Sequence, residues 1–261
     1  MGWKDAFGYV RNAAMKQGAV DAPEDQHLPL NARIGSMVTI QQGSLLRANT
    51  AGSLIALPQA ADFRILAISR LKLNLSGKVY RYYLDKGDDQ ADEKFLQVYV
   101  DAQDNVAEIM YCTQLARVIP ESVEDQEAYT GERGYGLGDR SYTLWRNQLG
   151  DYGLDEQDLE LVFGAEEGID FQRDAGDPNA EWVQPYQGGE TRIDDAAGRG
   201  GLQQDVYFMP YVRELRGGAG PEFLLITTEI IRSVNGDSSK RGIHVDFVIG
   251  IPVEQERIVI Q

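Results

Sequence analysis

Between residues 63 and 75 the side chains alternate without a break. Phe63, Ile65, Ala67, Ser69, Leu71, Leu73 and Leu75 form one set, and Arg64, Leu66, Ile68, Arg70, Lys72 and Asn74 the other. Successive side chains of a strand point to opposite faces, so a period of two predicts a long β-strand with one apolar face. Ser76-Gly77 marks a tight turn into residues 79–84, and an acidic loop over 85–93 leads to a further run at 95–101. Asp104-Asn105 reads as another hairpin tip before 106–115, and residues 33–40 as a strand of their own. Parallel pairing needs crossovers of about a dozen residues, usually helical, and none of that kind intervenes. The pairing expected is antiparallel.

The middle of the chain reads differently. Residues 120–129 suggest a short acidic helix, and Gly131, Gly134, Gly136 and Gly138 form a glycine-rich loop before a strand over 142–146. A further strand is predicted at 159–163 and a turn at 174–179. The last third returns to strands at 204–214, 222–232, 242–251 and 257–260. Pro210 lacks an N–H, so its strand is expected at an edge or at a bulge. Tyr83-Leu84 and Phe95-Leu96 recur with the same spacing as Tyr211-Val212 and Phe223-Leu224, which reads as two related hairpin units. At the other end, Trp3, Phe7, Val10 and Ala14 fall on one face of a helix over 3–18, with Gly18 and Pro23 as stop signals. The expected fold is mainly β (α+β). It comprises an amphipathic helix and linker (1–27), a first antiparallel meander or half-barrel (28–118), a glycine-rich connector (119–180) and a second β unit (181–261).

Composition restricts function. The chain carries 25 Lys and Arg against 41 Asp and Glu, a net charge of −16, which repels phosphate backbones and argues against nucleic-acid binding. Two histidines and one cysteine leave little for a metal centre or a nucleophile–base pair, so no catalytic residue, metal site or cofactor is assigned. A single cysteine forms no internal disulfide, no segment approaches the roughly 18 apolar residues of a membrane span, and charged residues interrupt any secretory h-region. A cytoplasmic protein is expected, its 3–18 helix docked on the body or, as the alternative, in contact with a partner or with the inner face of the membrane.

The individual motifs are weak. Gly134, Tyr135, Gly136, Leu137 and Gly138 lack the following helix and the lysine of a phosphate-binding loop. The acidic loop with Asp85, Asp88, Asp89, Asp92 and Glu93 lacks the order of a calcium-binding loop, and Asp170, Asp174 and Asp177 read as solvated. His244 and Asp246 share one strand face opposite the apolar Ile243, Val245, Phe247 and Ile249, and so look toward solvent or a groove. Cys112 reads as a small core hydrophobe. Tyr80, Arg81, Tyr82 and Tyr83 are candidates for a recognition face, as exposed Tyr and Arg often are, with Tyr83 and Val79 the better candidates for the packed side.

Several short blocks, in order, resemble the YjfK-like family of uncharacterised bacterial proteins. They are Leu28-Pro29-Leu30 with Arg33-Ile34-Gly35, residues 80–84 followed by 95–98, Tyr142 with Trp145-Arg146, and Met209-Pro210-Tyr211 with Arg213 and residues 222–225. The resemblance carries no catalytic residues. It implies an accessory protein of a membrane-stress module that includes a phage-shock-protein-A-like coat protein. The leading expectation is therefore a non-enzymatic adaptor for a basic or membrane-associated coat protein, with Trp3, Phe7 and Val10 as anchors. The alternative is a small-ligand binder, for a polyamine among others, or an enzyme, with its site near Arg140, Tyr142, Trp145 and His244.

Overall fold

The computed structural model describes residues 24–85, 93–239 and 242–261. The first β region gives β1 (Met37–Ile40), then helix α1 (Gly43–Thr50), and the hairpin series β2 (Asp62–Leu73), β3 (Lys78–Leu84), β4 (Lys94–Val100) and β5 (Val106–Val118). The middle gives α2 (Val123–Thr130), β6 (Ser141–Trp145), α3 (Arg146–Asp151), α4 (Glu156–Phe163) and β7 (Gly168–Arg173). The last third gives β8 (Tyr186–Ile193), β9 (Gly201–Glu214), β10 (Pro221–Val234), β11 (Gly242–Pro252) and β12 (Ile258–Ile260).

β2, β3, β4, β5, β11, β10, β9 and β8 pair in that order, and β8 pairs back onto β2 over Ile68↔Ile193 to Leu73↔Gly188. Eight antiparallel strands thus close into one barrel, which leaves no open sheet edge around its circumference. This corrects the expectation of two separate meanders or half-barrels: four strands of each β region form a single closed wall. The predicted N-terminal amphipathic helix lies outside the described residues. β1 and β12 extend the wall beside the start of β2, and β6 and β7 extend it beside the end of β9.

The strand period separates two cores. Ala67, Tyr83, Phe95, Met110, Cys112, Val206, Phe208, Phe223, Leu225 and Val248 fill part of the barrel interior. The alternate residues, among them Tyr82, Leu96, Tyr111, Met209, Leu224, Val245 and Ile249, face outward. There they pack beneath residues of the flanking segments, including Leu45 of α1 and Leu159, Val162 and Phe163 of α4. Both faces of these strands are buried, which is why β10 and β11 read as nearly continuous apolar runs.

The structure revises several sequence expectations. The single apolar face over 63–75 is split by a bulge between Ile65 and Ala67. Phe63, Ile65 and Ile68 join the outer core and Ala67 the inner one. The strand predicted at 159–163 is helix α4. Asp155 accepts from the backbone N–H groups of Gln157 and Asp158, acidic Glu156 and Asp158 sit in the first turn, and Leu159, Val162 and Phe163 follow helical spacing. Pro210 stands on neither an edge strand nor a bulge in its pairing with β10. It falls where the second neighbour of β9 changes from β8, last paired at Phe208, to β7, first paired at Tyr211. The two aromatic hairpins are out of step: Tyr83 points inward opposite Phe95, whereas Tyr211 points outward opposite Leu224. Arg81 and Tyr82 are buried on opposite faces of β3, so residues 80–83 form no exposed recognition face.

Candidate functional site in the charged mouth of the barrel

Hydrophobic side chains fill only part of the interior. Toward the end formed by the close of β3, β5, β8 and β10 and the start of β4, β9 and β11, polar side chains stand at inward positions among Tyr83, Phe95 and Val206. These are Arg81, Gln97, Glu190, Gln204, Thr227, Glu229, His244 and Asp246, with Gln97 the deepest on β4. The inward alternation of each strand aims them at one another across the barrel.

Arg81 is the hub. Its Nη2 donates to Thr227 Oγ1 at 3.0 Å, its Nη1 lies 3.4 Å from Glu229 Oε1 and 3.7 Å from Glu190 Oε2, and its Nε donates to Gln97 Oε1 at 3.3 Å. Glu190 also accepts from the Tyr83 hydroxyl at 3.3 Å and from Gln204 Nε2 at 2.9 Å. On the neighbouring ladder Glu229 pairs in register with His244, and Oε2 sits 2.8 Å from Nε2. Asp246 is gripped by Arg117 through Nε and Nη2, both at 2.7 Å, and by Gln114 Nε2 at 2.8 Å. Its Oδ2 lies 3.9 Å from His244 Nε2. Arg192 stacks over the Tyr83 ring at 4.0 Å and pairs with Glu93 and Asp194 at the rim.

Above this network a cavity of about 300 Å³ opens to solvent, lined by Tyr83, Glu93, Glu190, Gln204, Glu229 and His244 among others. Burial lifts the Glu229 carboxyl above its ordinary value, and repulsion from Glu190 and Asp246 adds to that. The hydrogen bond from His244 and the charge of Arg81 act the other way. Tyr83 is pushed well up, chiefly by burial and then by the charge of Glu190. Among the described residues five carboxylates of this mouth (Glu93, Glu190, Asp194, Glu229, Asp246) meet three guanidiniums (Arg81, Arg117, Arg192). By formal charge, five acids against three guanidiniums leave two negative charges in excess.

The opposite mouth is different. Val79, Met110, Tyr186, Phe208, Phe223 and Leu225 line a cavity of about 340 Å³ there, with Glu108 and Asp174 at its edge. Burial raises both carboxyls, and Asp174 raises Glu108 further.

The residues singled out from sequence do not assemble in one place. Trp3, Phe7 and Val10 lie outside the described residues. Arg140 is largely exposed and pairs with Glu181 at 3.8 Å. Tyr142 packs in the outer core against Tyr211 and Phe247, with ring centroids 5.9 and 5.7 Å apart. Trp145 ends β6, half exposed. His244 stands inside the barrel, so the wall of β11 separates it from Tyr142. The glycine-rich loop is packed: Gly138 (φ +106) brings its backbone so close to Val183 that a Cβ would lie 2.1 Å from the Val183 carbonyl oxygen. His244 and Asp246 do share a face, the inner one.

Sequence reading missed Glu229 and Glu190. A signal existed for Glu229, which is the one charged residue in the run from Leu224 to Ile231 of an otherwise apolar, threonine-containing strand. Glu190 carries no such mark, because Gln187, Gly188, Gly189, Thr191 and Arg192 around it read as loop.

No helix among the described residues is long and apolar enough to cross a membrane. No curated protein and no solved structure matches the chain, so no named relative stands behind the YjfK-like label. The family model described as "Protein of unknown function (DUF2491)" matches residues 9–259, and by that near-complete match the chain belongs to the DUF2491 family.

Proposed function

We propose that this protein binds a small cation in the charged mouth of its barrel, acting as a ligand-binding protein. The observation that carries the reading is the formal excess of two negative charges around a solvent-open cavity at the mouth of a barrel whose deeper interior is apolar. Such a mouth strengthens attraction for positive charge relative to open surface. The cavity suits an ion or one end of a linear amine, so the polyamine expected from sequence becomes one member of a wider class, and its place moves from the glycine-rich segment to the barrel. The test is a thermal-shift and calorimetric panel at fixed ionic strength with alkali, alkaline-earth and transition-metal cations, putrescine and spermidine. At least one cation raises Tm, and Glu229→Gln with Glu190→Gln abolishes the shift. No shift with any cation overturns the proposal.

A second reading, an adaptor for a basic or membrane-associated coat protein in a membrane-stress module, is favoured by the net charge of −16. Affinity capture with the intact chain and with one lacking residues 1–27 tests it. Failure to enrich a coat protein with the intact chain removes it.

A further inference from the structure

We infer that Glu229, His244 and Asp246 form the ion-binding heart of the charged mouth and that its ligand is a divalent first-row transition-metal ion. The inference rests on the cation-binding reading above. Glu229 and His244 are direct partners on the β10–β11 ladder, and Asp246, two residues along β11, shares the inward face with His244. One donor atom from each lies within 4.8 Å of the other two, and His244 Nε2 stands 2.8 Å from Glu229 Oε2 and 3.9 Å from Asp246 Oδ2. A metal about 2.0–2.2 Å from each donor places neighbouring donors roughly 3 Å apart, so small side-chain movements complete the triangle.

The donor chemistry selects the ion. One imidazole with two carboxylates suits zinc, manganese, iron, cobalt or nickel, whereas calcium and magnesium favour oxygen alone. The surroundings are those of a supported site. Arg117 and Gln114 fix the Asp246 carboxylate in the manner of outer-sphere donors, and Arg81 occupies Glu229 Oε1 while Oε2 faces His244. In the metal-bound state the ion takes His244 Nε2 and Glu229 Oε2, the single imidazole proton sits on Nδ1, and the two positive charges of the ion match the formal excess in the mouth.

An independent observation points to a bound group. Gln204 is 3 % exposed and lines the same cavity. Its Nε2 is anchored on Glu190, and its Oε1 has no hydrogen-bond partner among the described residues. A buried amide oxygen without a donor is rare, and water on a metal in the cavity supplies one. Three protein donors beside an open cavity leave coordination positions for such water or for a further ligand.

The test uses the full-length protein. Calorimetry with ZnCl₂ and CoCl₂ alone is expected to show one equivalent bound, weakened about 100-fold or more by His244→Ala and by Glu229→Gln, and unchanged in Glu108→Gln at the other mouth. The chain has two histidines, so a proton spectrum of the folded wild type resolves the site without relying on variant folding. Zinc shifts the His244 imidazole signals and leaves those of His27 in place. Zinc binding that persists in a folded His244→Ala variant, or that leaves the His244 signals unmoved, overturns the inference. Spermidine or magnesium binding that is lost in Glu229→Gln, with no zinc or cobalt binding, overturns the metal assignment and leaves the cation-binding mouth standing. Binding of neither metal nor amine removes both.

Discussion

Glu229 and His244 stand directly opposite each other on adjacent antiparallel strands and meet inside the barrel, with 2.8 Å between Oε2 and Nε2. Their meeting is fixed by residues that face away from them. Leu224, Ile226, Val245, Phe247 and Ile249 bury the outer face of the same two strands. A slip of one residue would turn that apolar set inward and carry Glu229 and His244 out of the mouth. The outer core therefore sets the register of the charged site.

The hub of the network gives the first prediction. Arg81→Met leaves Glu190 and Glu229 buried without their shared guanidinium, and loss of one partner of a buried ion pair costs about 3–5 kcal/mol. Urea denaturation of the variant at neutral pH should show a midpoint lowered accordingly. A change below about 1 kcal/mol would show that the network is not closed around Arg81.

A second buried pair ties the helical layer to the wall. Glu222 is fully buried and accepts from Arg213 Nε at 2.5 Å, Ser53 Oγ at 2.5 Å and the Leu54 N–H at 2.7 Å, while Arg213 Nη2 donates to the Gly52 carbonyl at 2.8 Å. Arg213→Met is expected to destabilise the protein by about 3–5 kcal/mol and to loosen the segment around residues 52–55. Hydrogen exchange at the Leu54 amide, compared between variant and wild type, checks the second part.

Barrel closure hangs on a glycine. A Cβ at Gly188 would lie 1.8 Å from the Lys72 carbonyl oxygen, across the β8–β2 seam. Gly188→Ala must part those strands and should cost about 3 kcal/mol or more. By contrast, Gly189→Ala meets only an ordinary contact at 3.7 Å. Thermal melts of the two variants side by side separate a seam effect from a general intolerance of alanine.

The apolar mouth predicts a pH dependence. Burial, and then Asp174, raise the folded-state pKa of Glu108, so the native state binds its proton more tightly than the unfolded chain does. Stability from this group is present below the unfolded pKa of about 4.3 and is lost as pH rises through the raised folded value. Glu108→Gln should stabilise the protein at pH 7.5 and lose that advantage near pH 4, by denaturant midpoints at the two values.

Cys112 is fully buried, and burial pushes its thiol up to about 12. Ellman's reagent at pH 8 should leave it unmodified in the native protein and titrate one thiol per chain in denaturant. Rapid labelling of the native state would contradict the inward packing of β5.

How much of this was legible in the sequence depends on the face each residue serves. The strands on either side of Ser76-Gly77, and those over 222–232 and 242–251, are strongly patterned because they pack on one or both cores. β8 carries no strand pattern, since Gly188 removes a side chain where the strands approach most closely, Gly189 adds a second gap, and polar residues fill most of the rest. Without β8, the chain reads as two open sheets. The sequence of α4 also fits a strand, because Leu159, Leu161, Val162 and Phe163 make a short apolar run, and the Asp155 cap with the acidic first turn breaks the tie. In the site, His244 and Asp246 share a face as their spacing requires. That this face looks into a barrel is a property of closure, which local pattern does not encode.

The seam between β2 and β8 joins residues 113 apart, as the hydrogen bond from the Gln187 amide to Asn74 marks. On a ribosome, β2 and its partners β1 and β3 are complete long before β8 exists. Until residues near 193 emerge, the long strand carries a bare row of backbone donors and acceptors, open to any extended peptide nearby. The barrel thus closes only after its least strand-like segment has been made, and until then that edge is open to a chaperone or a neighbouring nascent chain.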